Sequence, residues 1–152
     1  MDTSPDILNN AQSHERFPKA HQSIGDLLRA KGISPTRQRI EIAQVLLEKH
    51  QHLSADQLQA RLTERDGFVP SRATVYNTLR LFADHGLIRE VVVDPQRVFF
   101  DSNIDPHHHY FDVEHSELID IPADTLQVSG LPPLPEGVIQ EDIEVIVRIR
   151  RH

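Results

Sequence analysis

VPSRATVYNTLRLFADHGL, residues 69–87, is patterned as a single amphipathic helix. Ser71 is its expected N-cap, Val75, Leu79 and Phe82 recur at spacings of four and three on one buried face, and Gly86 ends it. On an adjacent face Arg72, Tyr76 and Arg80 stand four apart, so two guanidinium groups and a phenol project together. The preceding segment, Ser54 to Asp66, scans as another helix, with Gly67, Phe68, Val69 and Pro70 between the two. Two helices joined by a short Gly-containing turn make a helix-turn-helix, whose second helix enters a major groove. Ser71, Arg72, Tyr76 and Arg80 are therefore the expected DNA-contacting set, with Tyr76 suited to a thymine methyl.

Upstream, residues 1–20 are largely polar and read as a mobile arm. Ile24, Leu27 and Leu28 form a helical stripe ending at Gly32. Ser34 and Pro35 then give an N-cap and a first-turn proline for a helix running to about Lys49. Arg37 and Arg39 lie in its first turn, where backbone amides and two arginines suit a phosphate. An ordinary basic helix surface is the competing reading.

Downstream, Leu87 to Val93 and Arg97 to Phe100 are β-prone runs around Asp94, Pro95 and Gln96. This is a hairpin, the wing expected after a helix-turn-helix, with Arg97 near its tip as a further DNA contact. From Asp101 the character changes. DSNIDPHHHYFDVEHSELIDI is dense in Asp, Glu and His and suggests strands near Tyr110 to Val113 and Leu118 to Ile121. Pro122 to Gly137 is a proline-rich loop, and Ile143, Val145, Val147 and Ile149 alternate with Glu144, Ile146, Arg148 and Arg150 as a final strand.

At 152 residues and 38% hydrophobic, the chain can bury a core of one domain or two small ones. No run of 18 apolar residues occurs and MDTSPDILNN lacks the order of a secretory signal, so no membrane partner and a cytoplasmic location are expected. The absence of cysteine excludes disulfides, thiolate zinc sites and cysteine nucleophiles. The net charge of −7 argues against nucleic acid only when read over the whole chain, because residues 1–87 carry +1 and residues 88–152 carry −8. The acid is concentrated where it suits cations.

On an extended segment His107 and His109 share a face and His108 points away. Asp101 upstream and Asp120 downstream bring two carboxylates to two imidazoles, an all nitrogen and oxygen set suited to Fe²⁺, Mn²⁺ or Zn²⁺. His107, His108 and His109 are also candidate axial ligands for haem. A solvated polar loop is the bland alternative, and a non-haem metalloenzyme the alternative from another class. No nucleophile elbow or Gly-rich substrate loop accompanies the cluster, so an enzyme is not expected.

The order of elements and the motif PSRATVYNTLRLF, with ATVY at residues 73–76 after a helix opening HLSADQL, resemble the ferric uptake regulator superfamily of bacterial repressors. The likeness runs from about His21 to Ile149. The cysteine-free HHH at 107–109 is similar to the iron response regulator branch, which controls iron and haem-synthesis genes through haem. The resemblance implies an α+β fold: a winged-helix DNA-binding domain over 21–100 and an α+β dimerisation domain over 101–152 with a three-stranded antiparallel sheet. It also implies a homodimer on an AT-rich palindromic operator. The family's regulatory metal site falls on His52, Asp101, His107, His109 and Asp120, and its DNA-contacting tyrosine on Tyr76. Asp112 and His115 stand where the first Cys-x-x-Cys pair usually falls and the second pair is missing, so a structural zinc held by four cysteines is not expected. The Cys-Pro haem motif is also missing, which leaves haem to the histidines.

Overall fold

The computed structural model describes residues 23–65 and 69–152. The arm expected over 1–20 and the turn at 66–68 lie outside the described residues. The elements run α1 (Ile24–Ala30), α2 (Arg37–Leu46), β1 (His52–Leu53), α3 (Ala55–Thr63), α4 (Arg72–Asp84), β2 (Arg89–Asp94), β3 (Arg97–Asp101), β4 (His107–Asp112), β5 (Glu117–Pro122) and β6 (Ile146–Ile149). No described helix is long and apolar enough to cross a membrane.

The caps explain the helix starts. Ser71 accepts from the Thr74 amide, and Ser54 and Gln57 form a reciprocal capping box at α3. The start of α2 differs from expectation: Thr36, not Ser34, is the N-cap, its hydroxyl accepting from the Arg39 amide while Arg39 Nη1 donates to the Ser34 carbonyl. Pro35 disfavours helical geometry at Ser34, which delays the helix. At the end of α4, Gly86 takes φ 70°, a left-handed conformation that costs glycine little. The predicted face of α4 is the buried one: Val75, Leu79 and Phe82 are all inaccessible and join Leu28, Ile42, Leu46, Leu58 and Phe100 in one apolar core. Each such side chain contributes about 1.5–3 kcal/mol on burial.

The described residues form two three-stranded sheets, ordered β1-β3-β2 and β5-β4-β6. The first is antiparallel throughout, and the unanticipated short strand β1 sets His52 opposite Asp101. The second was expected to be antiparallel; β4 and β5 are, but β6 joins β4 in parallel, with His109 opposite Ile146. β5 ends at Pro122 opposite His107, so the connection over residues 123–145 begins and finishes at the starting end of β4 and only crosses to the other edge of that strand. No helix occurs among the described residues after α4, so all the helix of this α+β fold lies before β2.

The β2–β3 hairpin is shared between two cores. Phe100 on one face packs into the helices, while Val91, Val93 and Phe99 on the other meet Phe111 and Leu118 of the second sheet. Alternation along β3 places Asp101 on the Phe99 side, so the face that packs on the second sheet also delivers a carboxylate to it.

Candidate metal centre and recognition face

His52, Asp101, His107, His109 and Asp120 offer ligand atoms that all lie within 4.8 Å of one another. Asp101 Oδ2 is central: it lies 2.7 Å from His107 Nε2, 3.1 Å from His109 Nε2 and 3.2 Å from His52 Nε2. Asp120 Oδ1 closes the far side, 2.7 Å from His52 Nε2, 3.4 Å from His107 Nε2 and 3.5 Å from His109 Nε2. The distribution over elements is what matters. His52 and Asp101 come from the first sheet, and the other three from the second, where His109 stands opposite Asp120.

The electrostatics follow from that geometry. Burial alone would lower the His52 imidazole, but hydrogen bonds donated to Asp101 and Asp120 outweigh it and push it up to about 9. His107, equally opposed by burial, is pushed up to about 10 by the same two carboxylates and by the Asp105 carbonyl. His109 is raised against its burial by Asp101 and Glu144. Burial would raise Asp101, yet the surrounding imidazoles hold it well below the usual carboxylate range; His107 and His52 do the same for Asp120.

A divalent ion fits this donor set. Three imidazole nitrogens and two carboxylate oxygens point at one small volume without any sulfur, a set that suits borderline to hard divalent ions. His107 directs Nδ1 at the Asp105 carbonyl, 2.5 Å away, which reserves Nε2 for the cage. His108 is turned elsewhere: its Nδ1 accepts from the Val145 amide at 3.0 Å. Asp112 and His115 close a turn on each other, with Asp112 Oδ1 accepting the Glu114 and His115 amides and Oδ2 facing His115 Nδ1 at 2.9 Å.

The expected DNA-contacting residues line the outer side of the helices. Arg72 pairs with Asp56 of α3 through two nitrogens at 2.9 and 3.1 Å, and Arg80 reaches Glu90 at 3.5 Å. Arg37 lies 3.9 Å from Glu41. The arginine side of each pair is exposed and the pairs are weak, so a phosphate can replace the carboxylate at small cost. Tyr76 is 42% exposed, its ring edge-on to Phe100, and Ser71 is exposed at the cap. Arg97 stands at the hairpin turn beside Asp94, but its guanidinium leans over the Phe111 ring, 5.5 Å from the centroid, toward the second sheet. Between α4 and the hairpin lies an open cleft of about 790 Å³ bordered by Arg72, Tyr76, Gln96 and Arg97.

Several residues that shape the centre have no signature in the sequence. Buried Gln51 donates to the Val45 and Leu46 carbonyls, and its amide donates to Ser102 Oγ, pinning the end of α2 beside Asp101. Glu144, expected on the polar face of a longer final strand, instead reaches within 3.5 Å of His109 Nδ1. The strand begins only at Ile146, which packs on the second core in place of the expected apolar alternates.

A family model described as the ferric uptake regulator family matches residues 30–131. The peroxide-responsive repressor PerR of Staphylococcus epidermidis is 32% identical over 99 residues, covering 65% of this chain and 65% of that protein. PerR of Staphylococcus aureus is 33% identical over 93 residues, covering 61% of this chain and 62% of the relative. These matches thus span just under two thirds of each repressor. Among solved structures, the ferric uptake regulator of Pseudomonas aeruginosa with manganese superposes with a TM-score of 0.61 at 24% identity, covering 82% of this chain and 94% of that one. The Vibrio cholerae ferric uptake regulator gives 0.63 at 21% identity, covering 82% and 96%. With the family match running through α4 and the whole His and Asp cage, the chain belongs to the ferric uptake regulator family of DNA-binding, metal-binding transcription regulators.

Proposed function

We propose that this protein is a homodimeric, metal-responsive regulator, mainly a repressor, of iron and haem-metabolism genes, in the manner of the iron response regulator branch. The observation that carries the reading is the origin of the five cage donors, drawn from β1 and β3 beside the recognition helix and from β4 and β5 of the second sheet. In this reading residues 21–100 read DNA and residues 101–152 sense and pair. His52, His107 and His109 present Nε2, and Asp101 and Asp120 an oxygen each. A bound Fe²⁺ or Mn²⁺ would supply one positive centre common to both sheets. The relative angle of the sheets sets the spacing of two α4 helices in a dimer, and so the fit to successive major grooves of an AT-rich palindrome. Ser71, Arg72, Tyr76 and Arg80 contact bases or phosphates of the groove, with Arg37 on a phosphate and Arg97 reaching one by leaving the Phe111 ring. Haem would be held by His108, the one histidine of the three not turned into the cage; since its Nδ1 accepts from the Val145 amide, the ring would have to give up that contact before Nε2 could bond iron.

The test is fluorescence anisotropy of the full-length protein on AT-rich palindromic duplexes over a salt series, metal-free and then with Mn²⁺, Fe²⁺ or haem. Metal is expected to change the affinity by tenfold or more, with the change lost in the His107→Ala, His109→Ala double variant. Salt-independent binding, or an unchanged metal response in that variant, refutes the reading. For haem, a Soret shift that survives His108→Ala excludes that ligand.

A further inference from the structure

His109 is fully buried, and its two ring nitrogens are treated differently. Nε2 faces the cage, 3.1 Å from Asp101 Oδ2, whereas Nδ1 has no hydrogen-bond partner among the described residues. An imidazole that gives Nε2 to a metal keeps its proton on Nδ1, and a buried N–H calls for an acceptor. Glu144 Oε1 stands 3.5 Å away.

Glu144 is held there from two directions. Its backbone neighbourhood is tied to β4, the His109 amide donating to the Val145 carbonyl at 3.1 Å and the Val145 amide to His108 Nδ1 at 3.0 Å. Its other oxygen, Oε2, lies 3.8 Å from Arg89 Nη2, and the same nitrogen contacts Asp142. Arg89 opens β2 and stands opposite Asp101 in the first sheet. A continuous line of charge therefore runs from the cage, through His109 and Glu144, to the strand that follows the recognition helix.

We propose that Glu144 is a positioning residue for His109: its carboxylate accepts a hydrogen bond from Nδ1–H, so fixing the tautomer and ring angle that present Nε2, and Arg89 holds Glu144 in that post. The ending of the second sheet is thereby made part of the sensor, and the hairpin feels whether His109 is engaged. This rests on the reading of the cage as the metal site.

The experiment titrates metal-free full-length protein with Co²⁺, following visible absorption, and then competes with Zn²⁺. Glu144→Gln is expected to weaken Co²⁺ binding about tenfold and Glu144→Ala about a hundredfold, the range measured for partners behind metal-bound histidines. Band number and intensity should stay the same, since no ligand is lost. In the Zn²⁺-loaded protein the His109 Nδ1 proton, observed by histidine ¹⁵N NMR, should lie at low field and move in Glu144→Gln, a change that loss of a merely structural contact would not produce. Arg89→Gln should reproduce a part of the affinity loss. Unaltered Co²⁺ affinity and an unmoved Nδ1 proton in Glu144→Gln overturn the proposal while leaving the cage reading intact. If Asp101→Ala binds Co²⁺ like the unchanged protein, the cage reading itself fails.

Discussion

Asp101→Asn removes one negative charge from the middle of three imidazoles while preserving shape. Asp101 is 1% exposed, and its Oδ2 receives contacts of 2.7, 3.1 and 3.2 Å. Raising His52 from 6.5 to about 9 corresponds to about 3 kcal/mol at about 1.4 kcal/mol per unit. Asp101 shares that effect with Asp120 and is the larger of the two causes, and His107 and His109 add further amounts. The loss has a ceiling, because imidazoles deprived of their counter-charge shed protons instead of staying charged. The expected cost in metal-free protein at pH 7 is about 2–4 kcal/mol, in line with charge-assisted hydrogen bonds and broken buried pairs. In a chain of this size that is a fall in Tm of roughly 5–15 °C. Urea unfolding at pH 7 and pH 10 measures it, and the gap between variant and parent should narrow at the higher pH, where the parent's imidazoles are losing their protons. A variant within about 0.5 kcal/mol of the parent at pH 7 would refute the assignment of Asp101 as the charge that organises the cage.

The metal-free protein itself should lose stability as pH rises. His52 and His107 titrate at about 9 and 10 when folded against 6.5 otherwise, so their contribution is full below 6.5 and fades through 9 to 10; denaturant midpoints at pH 6, 8 and 10 should fall in that order, and a flat series contradicts the hydrogen-bond pattern. Arg72→Ala should leave stability within about 0.5 kcal/mol, since its Asp56 pair is exposed, yet weaken DNA binding and reduce the salt slope by about one. Unchanged slope would remove Arg72 from the phosphate contacts. Leu79→Ala should cost about 2–5 kcal/mol in urea unfolding because the side chain is fully enclosed. Phe111→Ala should cost about 3–5 kcal/mol, since it joins the hairpin to the second sheet and carries Arg97 and Arg148 over its ring; a loss below about 1 kcal/mol would show that the two sheets pack independently.

What could be read in advance divides by range. The buried face of α4 follows from a local period, as does the pairing of His107 with His109 across one residue, and the structure places both as those periods dictate. The Ser71 and Ser54 caps are equally local. Where two local signals competed, as at Ser34 and Thr36, the proline between them made the choice. The contact of Glu144 with His109 spans 35 positions, and the parallel entry of β6 depends on how far the connection before it reaches. Neither leaves a periodic trace. Alternation in the last strand was visible, but its phase was set by Ile146 finding the second core, which only the assembled sheet decides.

The hairpin bears on how such a molecule can be taken apart. Severing the chain after Phe100 would leave Val91, Val93 and Phe99 bare on the amino-terminal piece, a strip of greasy β-surface with nothing laid over it. A transplant that exchanged the second sheet between relatives would have to carry those three positions with it. The natural cassette is the second sheet together with the lining of its wall, and a clean cut at the junction lays that lining open to water.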